Sequence, residues 1–209
     1  MIAIVDYGVG NIFSLYSSFK SIGAEVVLTG DADEIRAADK IILPGVGAFG
    51  DAAEKLRDSG LAKVITAQAA WGKPLLGICL GMQLLFEKSH EYGEHDGLGL
   101  IKGDIVTMEG VVPSDYKVPH IGWNSLRFPK GKEKSPLFKY IEEGDFVYFV
   151  HTYFGTNCED SVIATTEYGA ELTAAVARDN VYGVQFHPEK SGDVGLRILK
   201  AFCGLEGEA

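Results

Sequence analysis

The chain has few of the residues that mark secreted, metal-binding or nucleic-acid-binding proteins. It has only three cysteines, and none of the spacings between Cys79, Cys158 and Cys203 is that of a zinc or redox motif. An odd number of thiols favours a reducing compartment, so we expect free cysteines, no metal and a cytoplasmic location. Basic residues are scarce too, since 19 lysines and arginines face 29 acids and give a net charge of -10. This balance argues against a nucleic acid as partner.

Long apolar runs, basic leaders and linkers are also missing. The first apolar run ends at Asp6 and no basic segment precedes it, so we expect neither a signal peptide nor a membrane span. No repeat and no segment rich in Pro, Gly and Ser divides the 209 residues, and a hydrophobic content of 46% is enough for a core. We therefore expect one domain over residues 1–209.

The first half of the chain alternates strand and helix patterns. Gly60 is expected to break the helical stretch Phe49–Trp71, and Asn11 to cap the first helix. Such alternation predicts an α/β fold with a mostly parallel sheet flanked by helices. The predicted strands are Ile2–Val5, Val26–Leu28, Lys40–Leu43 and Leu75–Ile78.

Residues 99–185 are rich in strand patterns instead, which predicts an antiparallel extension of the sheet. A helix, Val194–Phe202, follows them. The predicted strands are Gly103–Met108, His120–Phe128, Phe146–Tyr153, Val162–Tyr168, Ala174–Arg178 and Val181–Phe186.

Cys79 stands between Gly77 and Gly81, where a predicted strand passes into the helical run Leu80–Phe86. Small residues on both sides of a nucleophile let the chain turn sharply and expose the side chain, as in a nucleophile elbow. In open parallel sheets the active site lies beyond the carboxyl ends of the strands, where Cys79 is expected. The same pattern also fits a small buried thiol without chemistry.

His187-Pro188-Glu189 follows the last predicted strand. In extended chain, residues two apart project to the same face, and Pro188 favours an extended His187. His187 could then take the proton of a thiol while Glu189 fixes its tautomer and orientation. A surface histidine followed by a solvated acid is the alternative.

The segment Gly45–Gly50 matches the dinucleotide-binding fingerprint letter for letter. However, the segment follows the third strand rather than the first, and Pro44 precedes it. The next strand ends in Cys79 and offers no acid to bind a ribose. Nucleotide binding is therefore disfavoured. A thiol hydrolase needs backbone N–H groups for an oxyanion, and Leu80 with the loop Pro44–Gly47 could supply them. A simple tight turn is the alternative.

Together these features resemble the triad (class I) glutamine amidotransferases over essentially the whole chain. The resemblance implies a flavodoxin-like fold without a cofactor, and hydrolysis of L-glutamine through a γ-glutamyl thioester on Cys79. It further implies a heterodimer with a (β/α)8-barrel cyclase subunit that receives the ammonia. It rests on Asp6–Asn11, Pro44–Gly47, Gly77–Leu85, Pro119–Asn124 and His187–Ser191, in that order.

The resemblance also implies roles for single residues. Val46 or Gly47 would form the oxyanion hole with Leu80, and Gln83 and Glu91 would hold the α-carboxylate and α-amino ends of glutamine. Without the resemblance, Glu91 belongs to a polar segment, Ser89–Asp96, that is typical of a solvated loop. The residues implied to line the pocket are His151, Thr152 and Tyr153. Those implied to face the barrel are Asn11, Pro119, Trp123, Tyr148 and Lys190, although Trp123 and Tyr148 also fit strand-core aromatics.

Two other functions fit parts of the pattern. A glutaminase serving vitamin B6, anthranilate or purine synthesis keeps the chemistry but changes the acceptor, and Lys190 and the motif His120–Asn124 argue against it. A non-enzymatic flavodoxin-like protein with a reactive cysteine has no need for His187 beside Glu189.

Overall fold

The computed structural model describes residues 1–10, 12–205 and 207, so the predicted cap and interface residue Asn11 lies outside the described residues. The strands are β1 Ile2–Val5, β2 Val26–Thr29, β3 Lys40–Leu43, β4 Leu75–Ile78, β5 Phe86–Ser89, β6 His95–Asp96, β7 Ile101–Thr107, β8 His120–Ser125, β9 Phe146–His151, β10 Tyr153–Thr156, β11 Val162–Glu167, β12 Glu171–Arg178 and β13 Val181–Val184. The helices are α1 Ile12–Ser21, α2 Ala32–Ala37, α3 Phe49–Asp58, α4 Leu61–Ala70, α5 Leu80–Leu84 and α6 Gly192–Cys203.

The main sheet has the strand order β11-β12-β13-β4-β3-β1-β2. Strands β2, β1, β3, β4 and β13 run parallel, and β12 and β11 continue the sheet antiparallel. The parallel part therefore has the order 2-1-3-4-5 of flavodoxin-like sheets. The predicted α/β class and the antiparallel extension are confirmed.

Both faces of the parallel strands are buried, because helices cover each side. On one face Ala3 and Val5 pack with residues of α2, α3, α4 and α5. On the other, Ile2 and Ile4 pack with α1, α6 and the β8–β9 hairpin. This explains why these strands are continuous apolar runs rather than alternating ones. No helix in the described part of the chain has the length and apolarity needed to cross a membrane.

The strands predicted over His120–Phe128 and Val181–Phe186 end earlier, at Ser125 and Val184, and the strand predicted over Ala174–Arg178 begins earlier, at Glu171. Two further predicted elements are wrong in their extent. The run Phe146–Tyr153 is two strands, because the chain leaves the β8–β9 hairpin after His151 and joins a second sheet, β10-β7-β5-β6, at Tyr153. The helix predicted over Leu80–Phe86 ends at Leu84, because Phe86 begins β5. The side chain of Phe86 fills the space beside Gly155 of β10, which fixes it in the second sheet.

The carboxyl ends of four neighbouring strands meet at one edge of the main sheet. From β1, β3, β4 and β13 the chain continues into Tyr7, Pro44, Cys79 and Gln185 respectively. Since these strands are parallel and adjacent, segments far apart in sequence come together there.

The turn from β4 into α5 depends on Gly81. A Cβ atom at this position would overlap the carbonyl oxygen of Leu43, the last residue of β3. Only a residue without a side chain lets the first turn of α5 approach the end of the neighbouring strand so closely.

We predict that Gly81→Ala destabilises the protein by on the order of 3 kcal/mol, because the added methyl group must push α5 away from β3. Gly204→Ala is the matched control, since a Cβ there would meet no atom closer than 3.4 Å. Denaturant unfolding measures both. Equal free energies of unfolding for the two variants would contradict this account of the turn.

Candidate active site

Cys79 has a strained main chain that turns its side chain out of the sheet edge. Its φ is 54° and its ψ is -112°, a conformation that residues with a side chain rarely adopt. Its N–H donates to the carbonyl of Val184 at 2.8 Å, which joins the elbow to the end of β13. A Cβ at Gly77 would lie 2.6 Å from the carbonyl oxygen of Gly81, so both flanking glycines are required sterically.

His187 and Glu189 form a buried pair. His187 Nδ1 lies 2.7 Å from Glu189 Oε1, and each side chain is only 3% exposed. The extended conformation predicted for His187 is confirmed. The strand-like geometry predicted for Glu189 is wrong, because Pro188–Lys190 form a 3-10 turn. The two side chains meet through that turn and not through alternation along a strand.

The electrostatics of His187 are those of an imidazolium. Burial alone would lower its pKa, but hydrogen bonds with Cys79 and Glu189, together with their negative charges, raise the pKa to about 10. Glu189 receives the hydrogen of Nδ1, so Nε2 is the nitrogen that faces the sulfur. The imidazole therefore lies between the carboxylate of Glu189 and the sulfur of Cys79.

The main chain of His187 is anchored on both sides. Its N–H donates to Tyr148 of β9 at 2.9 Å. The hydroxyl of Ser191 donates to the His187 carbonyl at 2.6 Å and accepts the N–H of Tyr148 at 2.9 Å. The imidazole is therefore held by the second strand of the hairpin as well as by the carboxylate.

The loop after β3 is fixed at its two ends and exposed in the middle. The Tyr7 hydroxyl donates to the Pro44 carbonyl at 2.8 Å. Val46 and Gly47 are exposed, and Gly47 has a φ of 97°. Burial and the charge of Cys79 raise the pKa of Tyr7, so its hydroxyl stays a donor.

Glu91 anchors the end of this loop that leads into α3. Its Oε2 accepts the N–H of Phe49 at 2.6 Å, although 42 residues separate the two. Phe49 is the first residue of α3, whose N-cap, Ala48, has no capping side chain. A carboxylate at a helix N-terminus is favourable, so Glu91 takes the place of the missing cap. The interpretation of this segment as a solvated loop is wrong at Glu91, which is buried.

Gln83 is buried, and both of its N–H groups are already committed. Its Nε2 donates to the Tyr153 carbonyl and to Gln185 Oε1, each at 3.1 Å. Only its oxygen could face a substrate, and an oxygen accepts hydrogen bonds. The predicted hold on the α-carboxylate of glutamine therefore does not fit this arrangement.

His151 belongs to a chain of neutral groups. Its Nδ1 lies 2.9 Å from the Tyr153 carbonyl, which can only accept, so Nδ1 carries the hydrogen. His151 Nε2 must then accept from His120 Nδ1 at 3.1 Å. Asn124 Nδ2 lies 3.4 Å from His120 Nε2. Burial lowers the pKa of His120 to about 4 and that of His151 to about 3.

A cavity of about 450 Å³ opens above the triad. It is of a size that suits a small metabolite. A larger cavity of about 660 Å³ lies around Arg127–Lys132 and Cys158 but contains none of the predicted site residues. The predicted residues that line the smaller one are Val46, Gly47, Cys79, Leu80, Gln83, Glu91, Pro119, His151, Thr152, Tyr153, His187 and Lys190.

The predicted interface residues that the structure describes lie beside this cavity. Trp123 is 54% exposed, so its interpretation as a core aromatic is wrong. Its ring meets that of Tyr148 edge-on at 6.1 Å, and the Lys190 ammonium lies 5.9 Å from the Tyr148 ring. Pro119 is exposed at the cavity rim.

Sequence reasoning assigned no role to three residues of the site. Tyr7 holds Pro44, His120 holds His151, and Gln185 lies beside Cys79. The signal that could have indicated Tyr7 and Gln185 is their position within two residues of the carboxyl ends of parallel strands. Among the described residues, no group of three His, Cys, Asp or Glu side chains is arranged to hold a metal ion.

Comparison with known proteins gives a consistent result. The sequence pattern of the family "Glutamine amidotransferase class-I" matches residues 3–203. The chain is 52% identical to "Imidazole glycerol phosphate synthase subunit HisH" of Sulfurimonas denitrificans over 97% of both chains. It is 50% identical to the subunit of the same name from Caldanaerobacter subterraneus, again over 97% of both chains.

A chain in the solved structure of PurLQS from Thermotoga maritima has the same fold. The TM-score is 0.74 at 24% identity, and the match covers 97% of this chain and 96% of that chain. A solved glutamine amidotransferase matches with a TM-score of 0.73 at 17% identity, over 97% of this chain and 98% of that one.

The neutral histidines predict a loss of stability in acid. The ordinary pKa of 6.5 falls to about 4 for His120 and about 3 for His151 on folding. Below pH 6.5 the unfolded chain therefore binds more protons than the folded one, and the free energy of unfolding falls with the pH. His120→Asn should flatten this dependence by up to about 1.4 kcal/mol per pH unit.

Denaturant unfolding between pH 6.5 and about 4 measures this slope. His90→Asn is the control, since His90 is exposed, and it should keep the slope of the parent. If His120→Asn keeps that slope too, His120 is not held neutral by the fold.

Proposed function

Since the chain belongs to the class-I glutamine amidotransferases, and within them to the HisH subunits of imidazole glycerol phosphate synthase, we propose that Cys79, His187 and Glu189 release ammonia from L-glutamine for a separate cyclase subunit. The observation that carries this proposal is the imidazole of His187, buried between Glu189 and the sulfur of Cys79. The chain acts as one amidotransferase domain.

The first half of the reaction forms a thioester. The Cys79 thiolate attacks the side-chain amide carbon of glutamine, and the carbonyl oxygen becomes an oxyanion. The imidazolium of His187 gives its proton to the amide nitrogen, and the carbon–nitrogen bond breaks to release ammonia. Glu189 keeps the Nδ1 hydrogen and therefore the orientation of the ring throughout.

The second half uses the same groups in reverse. Neutral His187 takes a proton from water, and the oxygen of that water bonds to the thioester carbon. When the carbon–sulfur bond breaks, its electron pair returns to sulfur. Glutamate leaves, and the thiolate and imidazolium are restored.

For the oxyanion we propose the N–H of Leu80 and that of Val46 or Gly47. Leu80 is the first residue of α5, and the N–H groups of a first helical turn have no acceptor within the helix. The loop that carries Val46 and Gly47 follows β3, the neighbour of β4, and lines the same cavity. Donors preorganised in this way stabilise charge as it develops.

For glutamine itself we propose that Glu91 binds the α-ammonium group, with His151, Thr152 and Tyr153 as the pocket wall. Gln83 keeps its place in the pocket but as a hydrogen-bond acceptor, because Tyr153 and Gln185 take its N–H groups. Its oxygen suits the α-ammonium group beside Glu91 better than a carboxylate.

The ammonia acceptor is proposed to be a (β/α)8-barrel cyclase in a cytoplasmic heterodimer. The partner would use the ammonia to make imidazole glycerol phosphate and an aminoimidazole carboxamide ribotide in histidine biosynthesis. Exposed aromatic rings such as Trp123 are typical of protein interfaces, which supports Trp123 with Tyr148, Pro119 and Lys190 as the docking face. The family resemblance adds Asn11 to this proposal. Copurification with another kind of synthase would favour the rival acceptors.

We predict that Cys79→Ala lowers glutamine-dependent synthesis by at least about a thousandfold, because no other group supplies the nucleophile. Synthesis from added ammonia should continue, since the partner's chemistry does not use the thiol. Steady-state assays of the complex with either nitrogen source measure both. Cys203→Ala should leave both rates unchanged, and glutamine-dependent turnover by Cys79→Ala would refute the mechanism.

Glu91 offers a test of two functions in one carboxylate. Glu91→Gln keeps an oxygen for the Phe49 N–H but loses the charge, so we expect KM for glutamine to rise about tenfold or more with a smaller change in kcat. Glu91→Ala removes both functions, and kcat should fall as well because the loop loses its anchor. Exposed Glu94→Gln is the control. Identical kinetics for the Gln and Ala variants would contradict the anchoring role.

A further inference from the structure

A buried carboxamide lies beside the nucleophile and has no part in the mechanism above. Gln185 follows β13 and is 0% exposed. Its Nε2 lies 3.8 Å from Cys79 Sγ, and its Oε1 lies 3.1 Å from Gln83 Nε2. The side chain therefore bridges the sulfur and the wall of the glutamine pocket.

The backbone brings Gln185 to the sulfur. Cys79 N–H donates to Val184, the residue before Gln185, at 2.8 Å. The N–H of Gln185 donates to Ala174 of β12 at 2.8 Å, which continues the sheet pairing past the end of β13. Because these backbone hydrogen bonds hold both Val184 and Gln185 in the sheet, the carboxamide has little freedom to move away from Sγ.

The orientation of the carboxamide follows from one backbone carbonyl. The Tyr153 oxygen can only accept, so the Gln83 atom that faces it is the nitrogen. The same nitrogen meets Gln185, so the Gln185 atom facing it is the oxygen. By elimination the nitrogen of Gln185 faces Cys79, and its N–H points at the sulfur.

We propose that Gln185 is a further catalytic residue, whose N–H donates to Cys79 Sγ and stabilises the thiolate. This proposal depends on the proposed function in one respect only, namely that Cys79 is the nucleophile. The sulfur then has two donors, the imidazolium of His187 and the carboxamide of Gln185. A hydrogen bond to a charged group in a buried site is stronger than one between neutral groups.

The two donors differ in when they act. His187 gives its proton to ammonia during the first half of the reaction, so it is neutral when water attacks the thioester. Gln185 cannot give up its proton and stays a donor throughout. When the carbon–sulfur bond breaks and its electron pair returns to sulfur, Gln185 is the donor already in place for the leaving thiolate.

The test is the pH dependence of the alkylation of Cys79 by iodoacetamide in the full-length chain, since only a thiolate reacts readily. Peptide mass spectrometry reads each cysteine separately, with Cys158 and Cys203 as internal references. We expect Gln185→Leu to shift the midpoint for Cys79 upward by about 1 pH unit. Gln185→Glu should shift it further, because an oxygen without a hydrogen then faces the sulfur.

Gln68→Leu is the matched control, because it removes another buried carboxamide, in α4. Its midpoint for Cys79 should equal that of the parent. Should Gln185→Leu fail to fold, Gln185→Met replaces it, since an unbranched thioether of similar size also lacks the N–H. Parent-like midpoints in the folded Gln185 variants, or an equal shift in Gln68→Leu, would overturn the proposal.

This experiment is independent of glutamine hydrolysis. A parent chain that shows the expected alkylation profiles but hydrolyses no glutamine with its barrel partner would refute the proposed function and leave only the hydrogen bond from Gln185 to the Cys79 thiolate standing. Glutamine hydrolysis by the complex, together with alkylation midpoints that do not shift in the Gln185 variants, would support the proposed function and refute the role of Gln185.

Discussion

The close approach of Gly81 to the end of β3 is the contact on which the site depends. Because the first turn of α5 lies against the Leu43 carbonyl, the chain between β4 and α5 must turn within one residue. Cys79 is that residue, and its positive φ is the consequence. The turn sets the sulfur between the loop after β3 and the segment after β13. A looser turn would separate the nucleophile from both, so the backbone strain at Cys79 belongs to the mechanism.

The second organising feature is that three buried histidines differ in their protonation state. His187 has a carboxylate on one side and the sulfur on the other, and its pKa rises to about 10. His151 and His120 have only neutral partners, and burial lowers their pKa values to about 3 and about 4. The positive charge is thus confined to the ring that faces the thiolate. The Tyr153 carbonyl accepts from both His151 and Gln83, and it therefore fixes the hydrogen-bond directions toward His120 on one side and toward Gln185 on the other.

The sequence was sufficient for the bounds of three strands in the buried centre of the sheet. Ile2–Val5, Lys40–Leu43 and Leu75–Ile78 have the predicted bounds, because a continuous apolar run between polar turns leaves little choice. The sequence was insufficient for features that depend on contacts between residues far apart in the chain. The break at Thr152 lies inside an unbroken strand pattern and arises because the two halves pair with different sheets. Glu91 is buried because of Phe49, 42 residues away. An aromatic such as Trp123 has the same strand pattern whether it faces a core or a partner.

The central claim is that Cys79 carries the γ-glutamyl group between the release of ammonia and the attack of water. The most direct measurement is rapid acid quenching of the complex during turnover of isotopically labelled glutamine, followed by peptide mass spectrometry. We predict labelled glutamyl on the Cys79 peptide, chemically competent to form glutamate, and none on the peptides of Cys158 or Cys203. Hydrolysis of glutamine at full rate with no label on Cys79 at any quench time, or with label on another cysteine, would contradict the account.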